Sequence, residues 1–305
     1  MDKVYIFGHQ NPDTDTIASA IALADFKQQT GYNNYIATRL GEISRETSFV
    51  LNYFKIKEPE LLTDASEKQV VLVDHNERKQ SAKGIENANI LEIIDHHRVA
   101  DIETQKPLYI TIEPLGSTAS IIYKKYEQNN VKISKSVGGL LLSALLSDTL
   151  ILTSPTTTEE DREIAESLAH IAGVDIKTYG NEMLREGASL EGYSTDDIFG
   201  QDRKRFEFGT TAAYVGQVFT FDVDYVINQK LELIKSMQNY IDKNDATLGI
   251  LAITDLSTND STMYACGSDI GIAQKAFDFT GDQVFLKGVV SRKSQIVPPL
   301  TEAAK

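Results

Sequence analysis

Four of the five histidines in this chain stand beside aspartate, at the points where short apolar runs stop. VYIFG runs out at His9, with Asp13 and Asp15 close behind. VVLV runs into Asp74 and His75, and ILEII into Asp95, His96 and His97. Imidazole nitrogens and carboxylate oxygens without thiolates are the donor set of hard or borderline six-coordinate ions such as Mn²⁺, Co²⁺ or Mg²⁺ rather than of a structural tetrahedral zinc. Aspartate also follows strands as a turn residue or helix cap, which is account enough for any one of these positions. It is a poor account of all three together, because carboxylates crowded at one edge of a sheet repel unless a cation lies among them. So many carboxylates suggest two ions, ~3.5–4 Å apart, the usual device for in-line phosphoryl displacement.

Asp148 points the same way independently. It lies in GGLLLSALLSDTLIL, a stretch apolar on almost every helical face. An ionised carboxylate buried there without a partner is costly. The helix expected over 137–152 places it mid-helix, where capping does not explain it; a metal or a buried arginine would. The neighbours Ser147 and Thr149 leave open a half-exposed position. His170, in a predicted helix, reads as structural.

The elements that must position these residues follow from periodicity. Strands are expected at 4–7, 34–38, 70–73 and 90–94, with an edge strand at 109–113; helices are expected at 16–30, 47–54, 118–128, 137–152 and 158–172. Apolar runs without polar alternation belong to a sheet covered on both faces. The pattern is a doubly wound α/β domain with a mostly parallel sheet, in which ligands bind outside the carboxyl ends of strands. GASLEGYSTDD, with two glycines and no periodicity, reads as a flexible linker. The expected organisation is therefore a metal-binding domain over 1–187, a linker or hinge over 188–196, and a smaller α/β domain over 197–305. The latter should hold two strands within 206–222, a helix at 225–241, strands at 247–256 and 261–267, a helix at 272–277 and a strand at 284–290.

Charge and composition narrow the function classes. With 44 acidic against 30 basic residues, a formal charge of −14, general nucleic-acid binding is disfavoured. Against that background two basic clusters stand out: Arg203, Lys204 and Arg205 after the linker, and Arg292 and Lys293 in a Ser-Arg-Lys turn. Such runs are ordinarily solvated surface; here they are the candidate anion clamps. Gly116-Ser117-Thr118 reads either as an anion cradle or, more plainly, as a helix cap. The single cysteine, Cys266, excludes an intramolecular disulfide and points to a reducing compartment. The first residues do not read as a secretory signal, and no run approaches a membrane span, so a cytoplasmic protein is expected.

GHQNPDTD (8–15), VDHNE (73–77) and IDHH (94–97) resemble the DHH phosphoesterase superfamily, and GVVSRKSQIVPPL (288–300) narrows the resemblance to the family II, manganese- or cobalt-dependent inorganic pyrophosphatases. The resemblance runs over essentially the whole chain, with the motifs in the family's order. It implies that His9, Asp13 and Asp74 hold one metal, that Asp15, Asp74, His96 and Asp148 hold the other, and that His97 is the general acid. It further implies that Lys204, Arg292 and Lys293 bind phosphate in a site between the two domains. His75 would orient the ligands. Two Mn²⁺ per subunit, with Co²⁺ as an alternative, Mg²⁺ arriving with pyrophosphate, and a homodimer through the N-terminal domain are the remaining implications. Ser294 departs from the lysine expected there, and the short segment before Val70 has no room for a nucleotide-binding regulatory insert. Other superfamily activities, on short oligonucleotides, cyclic dinucleotides or polyphosphate, are the nearest rivals. The absence of histidine from the expected C-terminal domain, 197–305, speaks against the nucleotide-active types. A binding protein with a relic site would show a broken ligand set.

Overall fold

Short Val- and Ile-rich runs alternate with longer amphipathic ones, and the chain folds accordingly. A computed structural model describes residues 2–104 and 106–305. Six strands, β1 (Val4–Phe7), β2 (Tyr35–Arg39), β3 (Glu60–Leu61), β4 (Gln69–Val73), β5 (Asn89–Asp95) and β6 (Tyr109–Ile112), form one sheet in the order β3-β2-β1-β4-β5-β6. Every neighbouring pair is parallel. The order reverses between β1 and β4, so a ligand crevice lies beyond the carboxyl ends of those two strands. Their inner residues, including Ile6, Phe7, Val71, Leu72 and Val73, are fully buried.

Six helices accompany this sheet: α1 (Thr14–Gln29), α2 (Arg45–Tyr53), α3 (Thr118–Gln128), α4 (Lys135–Asp148), α5 (Glu159–Ala172) and α6 (Ile176–Gly187). α4 is buried continuously from Val137 to Leu146 and packs against α1 and α5. That explains why its sequence is apolar all round. These elements make up one compact unit, Met1–Gly187; the second is Ala188–Lys305.

The second unit contains α7 (Thr195–Gly200), β7 (Arg203–Phe208), β8 (Thr211–Thr220), α8 (Val223–Ile227), α9 (Lys230–Lys243), β9 (Leu248–Asp255), β10 (Asp260–Cys266), α10 (Ile270–Phe277), β11 (Gln283–Leu286) and α11 (Val297–Ala303). Its sheet runs β11-β10-β9-β8-β7 and is mixed: β8 and β9 are parallel, the other pairs antiparallel.

Several expectations are corrected here. The helix expected over 137–152 stops at Asp148, and Leu150, Ile151 and Leu152 follow with φ of 48°, 55° and 61°. Asp148 is thus the last residue of α4, not a mid-helix one. Within the second unit Leu190 is buried in the core and Ser194 caps α7. α6 is an addition to the expected elements, because Gly180 and Gly187 interrupt its pattern. Gly180 packs closely on Ile151: a Cβ there would lie 3.0 Å from Ile151 Cγ1, so the isoleucine would have to shift to admit one. The single helix expected at 225–241 is split into α8 and α9. The strand expected over 284–290 ends at Leu286, ahead of Gly288 at φ 68°. α11 carries the Pro298–Pro299 pair directly after its first residue, Val297, a position the first turn of a helix tolerates. Among the described residues no helix is long and apolar enough to cross a membrane.

Candidate metal centre

The carboxyl ends of β1, β4 and β5, together with the N-terminus of α1 and the C-terminus of α4, bring all six predicted ligands together. Asp74 is at the centre. It follows β4 at φ 57°, a left-handed turn that is costly for a non-glycine residue. Its side chain is buried, and its two oxygens face different imidazoles: Oδ2 lies 3.5 Å from His9 Nε2, and Oδ1 lies 3.5 Å from His96 Nε2. His9 Nε2 is also 3.2 Å from Asp13 Oδ2, and His96 Nε2 is 3.8 Å from Asp148 Oδ2. His9, Asp13 and Asp74 form one cluster that could hold an ion, and Asp15, His96 and Asp148 form another; within each, the donor atoms lie within 4.8 Å of one another.

Four of the six, Asp13, Asp15, Asp74 and His96, are anchored from behind. Asp13 caps α1, accepting from the Thr16 amide at 2.9 Å. Asp74 accepts from Thr16 Oγ1 at 2.6 Å and from Thr118 Oγ1 at 3.1 Å. Asp15 accepts from the first amides of α3, Thr118 at 2.7 Å and Ala119 at 3.0 Å, and from Ser19 Oγ at 2.9 Å. His96 gives its Nδ1–H to the Leu115 carbonyl at 3.0 Å, which leaves Nε2 facing the carboxylates. An imidazole held through one nitrogen by a carbonyl is the usual arrangement of a metal ligand. With Asp15 on the Thr118 and Ala119 amides and Asp161 on Gly116, the Gly116-Ser117-Thr118 segment is a cap bound by the chain's own carboxylates.

The electrostatics favour a cation. Burial, and then the charge of Asp15, push Asp74 up to about 7. Burial, and then the charges of Asp15 and Asp74, push Asp148 up to about 12. Burial opposes protonation of His96, but its hydrogen bond to Asp74 and the charges of Asp15 and Asp74 outweigh it, raising it to about 9. His9 is raised in the same way, burial being outweighed chiefly by Asp13. These carboxylates and imidazoles compete for protons that a divalent ion would displace, and the nitrogen–oxygen donor set fits Mn²⁺.

His97 adjoins the same centre: with Asp74 and His96 it forms a third group of close donor atoms, its Nδ1 3.7 Å from Asp74 Oδ1, but its shortest bond is to Asp95. It is half-exposed, and its Nδ1 and amide both donate to Asp95 Oδ1, at 2.9 and 3.0 Å. Asp95 is fully buried and is held in turn by Asn76 Nδ2. The sequence marked Asp95 only as part of a strand-end cluster; its place beside His97 was visible in the two-residue spacing. His75 gives Nδ1 to the Val73 carbonyl at 2.9 Å, and burial holds it down at about 4, so it braces the end of β4 as a neutral imidazole. Asp161 and Thr16 carry no signal in the sequence, since nothing around them distinguishes them from ordinary residues at the start of a helix, and Thr118 stands out only within the Gly116-Ser117-Thr118 turn. A cleft of about 500 Å³ opens over the cluster, lined by Asp13, Asp74, His96, His97, Asp148 and Thr156 among others.

In the second unit, strand alternation separates the basic run. Arg203 stacks on the Tyr240 ring and Arg205 pairs with Glu207, while Lys204, pointing to the other side of β7, is exposed. Lys204 stands opposite Val215 in the ladder, and Arg292 Nη1 reaches the Val215 carbonyl at 3.2 Å, so the predicted cations share one locality. Arg292, however, is buried and engaged by Asp202, whose Oδ1 accepts from Nη2 at 2.9 Å. Lys293 and Ser294 are exposed beside it.

Residues 3–145 match the DHH family, N-terminal domain, and residues 181–303 match the DHHA2 domain. The chain is 46% identical over 307 aligned positions, covering 99% of both sequences, to the manganese-dependent inorganic pyrophosphatase of Bacillus subtilis. The chain belongs to the family II inorganic pyrophosphatases. Among solved structures, a Methanococcus jannaschii protein described as a "putative family II inorganic pyrophosphatase" superposes with a TM-score of 0.64 at 38% identity, over 99% of each chain. An exopolyphosphatase-related protein from Bacteroides fragilis, at 14% identity and a TM-score of 0.51, shares the fold. Membership of the pyrophosphatase family accounts for the two-unit organisation and for the ordered motifs along both units.

Proposed function

We propose that this chain is a manganese-dependent inorganic pyrophosphatase that hydrolyses pyrophosphate to two orthophosphates. The observation that carries the reading is Asp74, whose two oxygens face His9 and His96 and so sit between the two ligand clusters. His9, Asp13 and Asp74 would hold one Mn²⁺, and Asp15, Asp74, His96 and Asp148 the other; Co²⁺ meets the same donor preferences. Bound ions would supply charge neutralisation and lower the pKa of the attacking water. The remaining work falls to the chain's own groups. With Nδ1–H fixed on Asp95, His97 directs Nε2 outward, where its proton can pass to the departing phosphate oxygen. Lys204 and Lys293 supply exposed positive charge for phosphate oxygens, and Arg292 anchors the backbone on which Lys293 stands. Mg²⁺ would enter as the substrate complex.

We further propose a homodimer through the first unit. Its sheet ends at β6, where Tyr109 and Ile110 are 81% and 58% exposed on an edge strand. The buried thiol of Cys266 and the net charge of −14 fit a cytoplasmic enzyme acting on a small anion rather than on nucleic acid.

The test is phosphate release after metal stripping and restoration of Mn²⁺, with Mg²⁺ throughout. Long polyphosphate, short oligonucleotides and cyclic dinucleotides are run in parallel. Mn²⁺-dependent hydrolysis of pyrophosphate alone is the expected result; preference for another phosphoanhydride or phosphodiester overturns the substrate.

A further inference from the structure

The segment from Pro114 to Ala119, the loop after β6 and the first two residues of α3, meets Asp15 and His96 directly and reaches Asp148 only through Thr149, the residue that follows it. Its Leu115 carbonyl accepts from His96 Nδ1. Its Thr118 and Ala119 amides donate to Asp15. Gly116 is pressed against Thr149, the residue after Asp148: a Cβ on Gly116 would lie 2.6 Å from Thr149 Cγ2. By contrast, His9 and Asp13 have no hydrogen bond to this loop in the described residues, and Asp74 meets it only through Thr118 while also being held by Thr16.

A single buried carboxylate pins the loop. Asp161, fully buried at the N-terminus of α5, accepts from the Gly116 amide at 2.8 Å through Oδ2 and from Ser120 Oγ at 2.7 Å through Oδ1. The same Oδ2 accepts from Thr158 N and Oγ1, closing the cap of α5. A Cβ on Gly116 would come within 2.9 Å of that oxygen, so no bulkier residue lets the backbone approach this closely. Capping alone needs only Thr158 and Asp161. The contacts to Gly116 and Ser120 are additional, and they fasten the loop on both sides of the amides that hold Asp15.

We infer that Asp161 is a positioning residue for one ion of the pair: by fixing Gly116 and Ser120 it sets the Leu115 carbonyl that orients His96 and the α3 amides that orient Asp15. The inference rests on the two-ion reading above. Residues that orient metal ligands through hydrogen bonds typically change affinity by about 10–100-fold when altered. Asp161→Asn turns an acceptor toward the Gly116 and Thr158 amides into a group that is partly donor.

Metal-free protein is titrated with Mn²⁺, free ion being followed by its electron paramagnetic resonance, and the histidine ring nitrogens are followed by ¹⁵N resonance. Wild type binds two ions. Asp161→Asn weakens one step about tenfold, leaves the other within about twofold, and perturbs the His96 ring signals but not those of His9. Thr158→Ala removes the cap hydroxyl alone; it lowers the melting temperature and leaves both binding steps in place. Ser120→Ala, a milder change that spares the Gly116 contact, weakens the same step as Asp161→Asn by a smaller factor, and decides the matter if Asp161→Asn does not fold. Equal weakening of both steps, no weakening of either, or the same effect from Thr158→Ala overturns the role of Asp161. Failure of wild type to bind two ions overturns the two-ion reading itself.

Discussion

Glu92 and Asp74 are buried carboxylates of the same sheet, yet their surroundings are opposite. Glu92, within β5, has Lys27 at 2.6 Å and Lys125 at 3.1 Å. Burial works against its ionisation, but the hydrogen bond and charge of Lys27, and then Lys125, hold its carboxyl below the usual range. Asp74, at the carboxyl end of β4, is pushed up by burial and by Asp15. One carboxylate carries its counter-charge in the fold; the other belongs to a cluster whose strongest charged neighbours include more carboxylates. A sheet interior that can place two lysines on one glutamate is not short of means to neutralise an aspartate. The cluster beyond β1, β4 and β5 is therefore organised for a cation that comes from solution.

The largest expected effect breaks that cluster at its centre. Asp74→Ala removes the carboxylate that faces both His9 and His96, and pyrophosphate hydrolysis should fall to background however much Mn²⁺ is added. His97→Gln leaves all six proposed ligands in place, so a titration should still show two ions bound while kcat drops by about 10²–10⁴-fold. If His97→Gln instead abolished ion binding, His97 would be a ligand and not the proton donor.

Asp148→Asn tests the comparison by sign. At Glu92, removal of the charge takes away a paired ion and should destabilise. At Asp148 burial and the repulsion of Asp15 and Asp74 force the metal-free carboxyl to take up a proton on folding, a cost that asparagine removes. The metal-free Asp148→Asn protein should melt higher than metal-free wild type, by about 2–4 °C for each kcal/mol of repulsion relieved, while losing one Mn²⁺ and most of its turnover. Thermal scans in chelator read the first effect and the Mn²⁺ titration the second; a lower melting point for the variant would show that the metal-free cluster is not strained by repulsion.

How far these features were legible follows the same division. Strand ends in a parallel sheet are marked by an abrupt change from Val and Ile to Asp and His, so His9, Asp13, Asp15, Asp74, His96 and the helices behind them could be read directly. Asp148 was readable as an anomaly, but its helix was drawn too long, because Leu150 to Leu152 continue an apolar pattern that the backbone leaves through positive φ. Asp161 was not readable, since its reach to Gly116 crosses 45 residues and looks locally like a capping box. In the second unit the basic run was visible, but the commitment of Arg292 to Asp202 depends on which strand lies beside it. Those two cations should accordingly separate: Lys204→Gln should raise KM for pyrophosphate with an unchanged melting temperature, whereas Arg292→Lys, losing its forked contacts, should cost about 1–2 kcal/mol of stability as read by denaturant unfolding. Equal melting temperatures for the two variants would remove the distinction.

The effect expected at Glu92 is identified by its pH dependence. A carboxyl whose folded pKa is depressed contributes stability that is fully present above its unfolded pKa, roughly 4.3, and is lost as pH falls through the lower folded value. Glu92→Gln should therefore cost about 1.5–3 kcal/mol near neutral pH, the range for hydrogen bonds to charged groups. The gap between variant and wild type should narrow steadily below about pH 4, where wild-type Glu92 takes up a proton and releases Lys27 and Lys125. Denaturant unfolding of both proteins in chelator across this range measures it without interference from bound ions. A gap independent of pH would mean that Lys27 and Lys125 stabilise the fold by packing alone, and that the sheet interior does not neutralise its own carboxylate after all.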